Sequence, residues 1–301
     1  MAQKITKEQL LDKMDAELRA HGCSRSLLPL HDMQALFSEI KDKNEHPEAP
    51  RSEGFWSVLS VVNGHVESRR ELHFQKVMIT PGASGFLVQP LSSHREIVGE
   101  GDTVVRAVEN FFTCLYERYY MVPEEQWDRE FIGYIPQFYL DEPRSLSAQS
   151  GDISLYLKAV NLMVEVQCNQ VDKSGIFYYY HPMRVSQGCK TIAAKMVAVM
   201  HDVLEDTFLT PSELSEYGFP AAIIDGILSV TRKETDTYAE FIQEAAKNPL
   251  GQEVKLLDLR DNMDITRLKD ITDKDARRLR KYLHAFRFLK GAEKTPYDIV
   301  D

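Results

Sequence analysis

Basic charge is what this chain most lacks. Its 36 lysines and arginines are outnumbered by 46 aspartates and glutamates, a formal net charge of −10. A field of that sign repels phosphate backbones and anionic lipid, which argues against generic nucleic-acid and anionic-membrane binding. A small anionic substrate remains open, because a bound cation and a few local lysines or arginines invert the field inside a pocket. Cysteine is scarce as well: Cys23, Cys114, Cys168 and Cys189 form no C-x-x-C pair and no regular framework. They read as free structural thiols in a reducing compartment. Long apolar runs are missing too. None approaches the roughly 20 residues of a bilayer span, and the opening MAQKITKEQLLDKMD has no signal-peptide core. The expectation is a soluble, cytoplasmic protein.

The 301 residues suffice for two ordinary domains. Residues 140–152 (LDEPRSLSAQSGD) are polar and rich in breakers, which places a boundary there and divides the chain into 1–150 and 151–301. In the first part, residues 5–20 fit an amphipathic helix with Thr6 as N-cap and Gln9 completing a capping box. Residues 41–53 read as a loop. A strand over 55–62 runs into the hairpin signal Asn63-Gly64, with further strand character at 72–74, 77–79 and 86–88. Residues 102–120 read as a long amphipathic helix with Asp102 at its start. The rings of Phe111, Phe112, Tyr116, Tyr119 and Tyr120 could stack on bases, but at helical spacing they are more often core. His65, His73 and His94 are scattered. No catalytic constellation is legible here. The composition suits an α+β regulatory or interaction domain, the part through which a protein partner or a second copy would dock.

Beyond residue 150 the pattern is almost wholly helical, with segments at 153–169, 191–206, 211–217, 220–230, 236–247, 250–269 and 273–290. The fold class expected is therefore an α+β domain followed by an all-α domain. Thr210-Pro211-Ser212-Glu213 is a complete helix start: cap, proline at N1 and capping-box glutamate.

Chemistry concentrates on three pieces of this half. His181-Pro182 closes the aromatic run Phe177-Tyr178-Tyr179-Tyr180 and sits at a helix entrance. The apolar stretch TIAAKMVAVM ends in His201-Asp202-Val203-Leu204-Glu205-Asp206-Thr207. Carboxylates at the end of a buried helix need a cationic partner. Asp258 follows an apolar ramp, and Asn262 lies one turn on, on the same face. His181, His201, Asp202 and Asp258 make a ligand set suited to Mn²⁺, Mg²⁺ or Fe²⁺, with positions left for water and substrate. A metal-acidified water is the nucleophile such a site generates. Glu205 and Asp206 stand ready to orient or deprotonate it. Taken singly, each piece has a plainer reading as a turn histidine, a common dipeptide or a solvated face.

These residues carry a resemblance. From about 153 to 290 the chain resembles the HD-superfamily phosphohydrolases, and among them the hydrolase domain of the RelA/SpoT alarmone enzymes and their small relatives. The matching pieces are Lys173-Ser174-Gly175, Tyr180-His181-Pro182, the run from His201 to Thr207, Tyr217-Gly218-Phe219, IIDGILSVTR from Ile223 to Arg232, and Lys255 to Asn262. The resemblance implies an HD-type helical domain and a metal, usually Mn²⁺, on His181, His201, Asp202 and Asp258. It implies water activation by Glu205 and Asp206, nucleotide contact by Asn262, and a nucleotide pocket near Lys173 and Ser174. The implied reaction removes the 3′-pyrophosphate from guanosine tetra- or pentaphosphate, the alarmones of the stringent response. Two positions depart: Asp172 stands where the family usually has arginine, and Ile265 where it tends to have threonine.

Those departures keep other phosphorylated nucleotides in play, such as NADPH or a nucleoside monophosphate. A non-catalytic nucleotide-binding regulatory module is the alternative of a different class. Basic side chains on the C-terminal segment, Arg277 and Lys281, together with Lys173, Arg260 and Arg267, are candidates to receive substrate phosphates. The competing reading is a charge pattern that only complements its own helix.

Overall fold

The computed structural model describes residues 5–20, 24–25, 28–45, 73–82, 84–91, 96–121, 134–140, 150–168, 170–172, 175–268 and 270–292. Helix α1 (Lys7–Ala20) starts as expected. The Thr6 amide donates to Gln9 Oε1 at 2.9 Å, and the Gln9 amide donates to Thr6 Oγ1 at 3.2 Å. Its buried face of Leu10, Leu11, Met14 and Leu18 packs on α2 (Leu30–Glu45). Residues 41–45, expected in a loop, continue α2. Burial of Leu36, Phe37 and Ile40 on one face carries the helix through its charged last turn. The strand expected at 55–62 and its Asn63-Gly64 hairpin lie outside the described residues.

Among the described residues, four strands form one sheet: β1 (His73–Gly82), β2 (Gly85–Pro90), β3 (Gly99–Gly101) and β4 (Tyr134–Leu140). Their order is β3-β2-β1-β4. The β1–β2 and β2–β3 pairs are antiparallel, and β1–β4 is parallel. Helix α3 (Val104–Met121) covers β2 and β3 with Val104, Ala107, Val108, Phe111 and Phe112. Gly99 permits this approach, since a Cβ there would lie 2.2 Å from the Ala107 carbonyl oxygen. The cap of α3 is Thr103 rather than Asp102: its Oγ1 accepts from the Arg106 amide at 3.2 Å.

The helical half comprises α4 (Ser150–Gln167), α5 (Tyr180–Gln187), α6 (Ile192–Val199), α7 (Val203–Asp206), α8 (Pro211–Glu216), α9 (Ala221–Ser229), α10 (Tyr238–Lys247), α11 (Pro249–Asn262) and α12 (Asp273–Leu289). Capping boxes at Thr210, Thr237 and Thr272 start α8, α10 and α12. Two expected helices are shorter than their apolar patterns. The segment 191–206 breaks between α6 and α7, and 250–269 ends at Asn262, followed by a 3₁₀ turn over Ile265–Arg267. A mixed front half with a small sheet thus precedes a mostly helical second half. Among the described residues, no helix is long and apolar enough to cross a membrane.

The apolar core runs across residue 150. It extends from Leu10 and Leu36 through Val77, Phe111 and Phe138 to Met163, Val197 and Val254. Phe111 and Phe112 are core residues, not a stacking face: Phe111 meets Phe138 edge-on at 5.5 Å, and Phe112 meets Tyr179 at 5.9 Å. Asn161 of α4 pairs with Phe138 of β4 through both backbone groups, at 2.8 and 3.0 Å. Buried Glu109 of α3 accepts from Lys195 of α6 at 2.5 Å. Lys195 also donates to the Ser186 carbonyl at 2.9 Å. The sheet half therefore braces α4, α5 and α6, the elements that carry the site.

Candidate metal centre

The break after α6 aims the first histidine. At Met200 the backbone leaves the helix (φ −105°, ψ 9°), and the chain turns through His201 and Asp202 before α7. The turn brings His201 Nδ1 to 2.7 Å from the Ala198 carbonyl oxygen. A carbonyl only accepts, so Nδ1 carries a proton and Nε2 faces away from the helix. His181, the second residue of α5, is held in the same sense, with Nδ1 2.7 Å from Asp261 Oδ2. Pro182 adds no unsatisfied amide in this first turn. Asp258 arrives from the middle of α11 and is buried.

Both Nε2 atoms point at carboxylates. His181 Nε2 lies 3.2 Å from Asp258 Oδ1 and 3.8 Å from Asp202 Oδ2. His201 Nε2 lies 3.0 Å from Asp202 Oδ2 and 3.7 Å from Asp258 Oδ1. Ligand atoms of His181, His201 and Asp258 all fall within 4.8 Å of one another, a grouping able to hold a metal ion. Asp202 stands beside them, its Oδ2 accepting from Tyr178 Oη at 2.5 Å. Asp258 is fixed on two sides. Lys255 Nζ donates to its Oδ2 at 2.8 Å, and Asn262 Nδ2 to its Oδ1 at 2.5 Å.

The electrostatics describe a cluster in need of positive charge. Burial works against charging His201, yet Asp202 and Asp258 raise its pKa well above the ordinary imidazole value. Against the same burial, the His201 charge brings Asp202 down to about 2. Burial opposes charge on Asp258, yet Lys255 and the His181 and His201 imidazoles together hold it far below the carboxylate range. Asp206 behaves oppositely: burial, then repulsion from Asp202 and Glu205, lifts it to about 7. Glu205 is exposed at the rim, but crowding around its carboxylate and the nearby Asp202 raise it too. Two neighbouring carboxylates thus differ in kind, one ligand-like and ionised, one poised to exchange a proton near neutrality.

The structure brings together His181, His201, Asp202 and Asp258, with Glu205 and Asp206 on the turn of helix that follows. Asn262 bonds Asp258 and is otherwise exposed. Lys173 and Ser174 lie outside the described residues. Arg277 is exposed on α12, and Lys281 holds its ammonium 4.4 Å from the centre of the Tyr238 ring. Arg267 reaches Asp172 at 3.9 Å and Asp261 at 3.0 Å. Sequence reasoning missed Tyr178, Lys255 and Asp261 as parts of this site. Lys255 had a signal, being one turn before Asp258 on the same face. The link from Asp261 to His181 spans two helices and has none. Support also comes from the front half: Lys7 Nζ donates to the carbonyls of Leu204 (2.7 Å) and Leu209, and Gln34 Nε2 to that of Asp206 (3.1 Å).

The donor set suits a borderline or hard divalent cation such as Mn²⁺, Mg²⁺ or Fe²⁺. Its most telling atom is His201 Nε2, which is buried and within ion-pair distance of two carboxylates yet makes no well-aligned hydrogen bond. A cation at that point resolves the mismatch. In comparisons with known proteins, no family model and no curated protein matches the chain.

Proposed function

We propose that the chain is a metal-dependent phosphohydrolase with an HD-type helical domain, acting on a phosphorylated nucleotide. Guanosine tetra- or pentaphosphate, cleaved at the 3′-pyrophosphate, is the foremost candidate substrate. The observation that carries this reading is the pair of imidazoles whose Nδ1 atoms are engaged and whose Nε2 atoms converge on Asp258 and Asp202.

His181, His201, Asp202 and Asp258 would hold the ion, Mn²⁺ first among the candidates. When bound, such an ion acidifies water and withdraws charge from a phosphoryl oxygen. The remaining chemistry belongs to the chain. Asp206, lifted to about 7, takes the proton that the attacking water gives up. Glu205 stands at the rim to orient that water. Tyr178 keeps Asp202 turned toward the imidazoles, and Lys255 does the same for Asp258. Asn262, exposed beside Asp258, would meet the nucleotide.

Substrate choice within this class follows from one further contact. Asp172 lies 3.9 Å from Arg267, so the cation at this edge comes from the 3₁₀ turn after α11. That arrangement favours testing other phosphoesters, NADPH and nucleoside monophosphates among them, beside the alarmones. Purified protein with Mn²⁺ is incubated with this panel. Release of phosphate or pyrophosphate from one member, abolished in the His201→Ala/Asp202→Ala variant, is the expected result. Tight binding without turnover would make the chain a nucleotide-sensing module instead, and turnover that survives the double substitution would refute the assignment.

A further inference from the structure

Asp261 is a half-buried acid beside the centre that has no place in the ligand set. Its carboxylate meets three partners at once. Oδ2 accepts from His181 Nδ1 at 2.7 Å, from Arg184 Nη2 at 3.1 Å and from Arg267 Nη2 at 3.0 Å. Oδ1 accepts from Arg184 Nε at 2.8 Å. Arg184 lies three residues after His181 on α5, so Asp261 grips that helix at two points one turn apart. Arg267 binds it from the following 3₁₀ turn and donates to its backbone carbonyl as well.

We infer that Asp261 is the positioning residue of the metal centre: it fixes the His181 ring with the proton on Nδ1 and Nε2 turned to the ligand cluster. The inference rests on the proposed metal reading and goes past it, because it names which group outside the ligand set makes that set competent. Three features support it over a salt bridge that merely ties α5 to α11. The shortest of the four side-chain contacts goes to the imidazole, not to either guanidinium. His201 has its own Nδ1 acceptor, the Ala198 carbonyl, so each ring is oriented by a group outside the cluster. Lastly, the bidentate grip of Arg184 leaves the carboxylate a single orientation, which transfers to the ring. Acceptors of this kind behind ligating histidines set both tautomer and basicity, and removing one costs about 10–100-fold in metal affinity.

The test is Mn²⁺ binding, read from the loss of the free-ion electron paramagnetic resonance signal, on the full chain. Asp261→Ala should bind Mn²⁺ about 10–100-fold more weakly than the parent. Asp261→Asn keeps an acceptor for Nδ1–H and should recover part of that loss. Arg184→Met removes the ion pair but spares the imidazole contact, and should lose less than Asp261→Ala. Histidine ¹⁵N–¹H spectra of the Zn²⁺-loaded protein supply a second readout: a fixed Nδ1–H on His181 in the parent, lost in Asp261→Ala. Should Asp261→Ala not fold, Asp261→Asn and Arg184→Met decide, the first expected to keep the Nδ1–H signal. Unchanged affinity in a folded Asp261→Ala, or an equal loss in Arg184→Met, would overturn the inference alone. A parent chain that binds no Mn²⁺ would take down the metal reading together with it.

Discussion

At the scale of single residues, the proposed cation would compete with protons for one place. Without that cation, Asp202 and Asp258 favour the charged form of the His201 imidazole and raise its pKa. Its contribution to stability is therefore complete below the ordinary imidazole pKa and is lost as pH climbs through the raised value. Metal binding runs the other way and must displace those protons. Mn²⁺ affinity should rise with pH through the neutral range. Calorimetry in buffers of different ionisation enthalpy should register proton release, and a pH-independent affinity would contradict this. On the proposed hydrolase reading, Asp206→Asn should lower turnover by about 10²–10⁴-fold, the usual worth of a general base. The candidate ligands were legible because Asp258 stands inside an apolar repeat, His201 and Asp202 end a buried apolar segment, and His181 sits at a helix entrance. Asp261 was not, since the run Arg260-Asp261-Asn262 reads locally as a solvated helix end.

At the scale of elements, helices were the legible part, as 3.6-residue periodicity and threonine caps mark them directly. The three-residue β3 carries too little pattern to read, and Pro136 argues locally against β4, which among the described residues is an edge strand beside β1. The break at Met200 was illegible for another reason. No glycine or proline marks it in the sequence. The loop that follows is held from outside by α1 and α2. Lys7→Met should remove two charged hydrogen bonds and destabilise the fold by about 2 kcal/mol, measured by urea unfolding. Burial lowers the Lys7 pKa from 10.5 to about 8. The unfolded chain therefore holds the extra proton between those values, so this lysine adds stability as pH rises through them. The slope should vanish in Lys7→Met.

At the scale of the whole molecule, the polar stretch near residue 150 separates two kinds of secondary structure while the core runs through both. Glu109 and Lys195 form a buried ion pair across that division, with side chains 2% and 13% exposed. Glu109→Ala strands a charge and should cost about 3–5 kcal/mol, whereas Glu109→Leu/Lys195→Met should recover most of it. Thermal unfolding should be a single transition. A chain starting at Ser150 should not reproduce it, because α4 would lose β4 and α2, on which it packs. Two separate transitions would contradict a shared core. Composition gave no hint of this union, since patterning reports which face of an element is apolar but not which element covers it.

The most direct test of the central claim is an anomalous difference map from crystals soaked in Mn²⁺. One strong peak is predicted per chain, about 2.1 Å from His181 Nε2, His201 Nε2 and oxygens of Asp202 and Asp258. Crystals at saturating Mn²⁺ with no peak there, or with the peak on other residues, would contradict it.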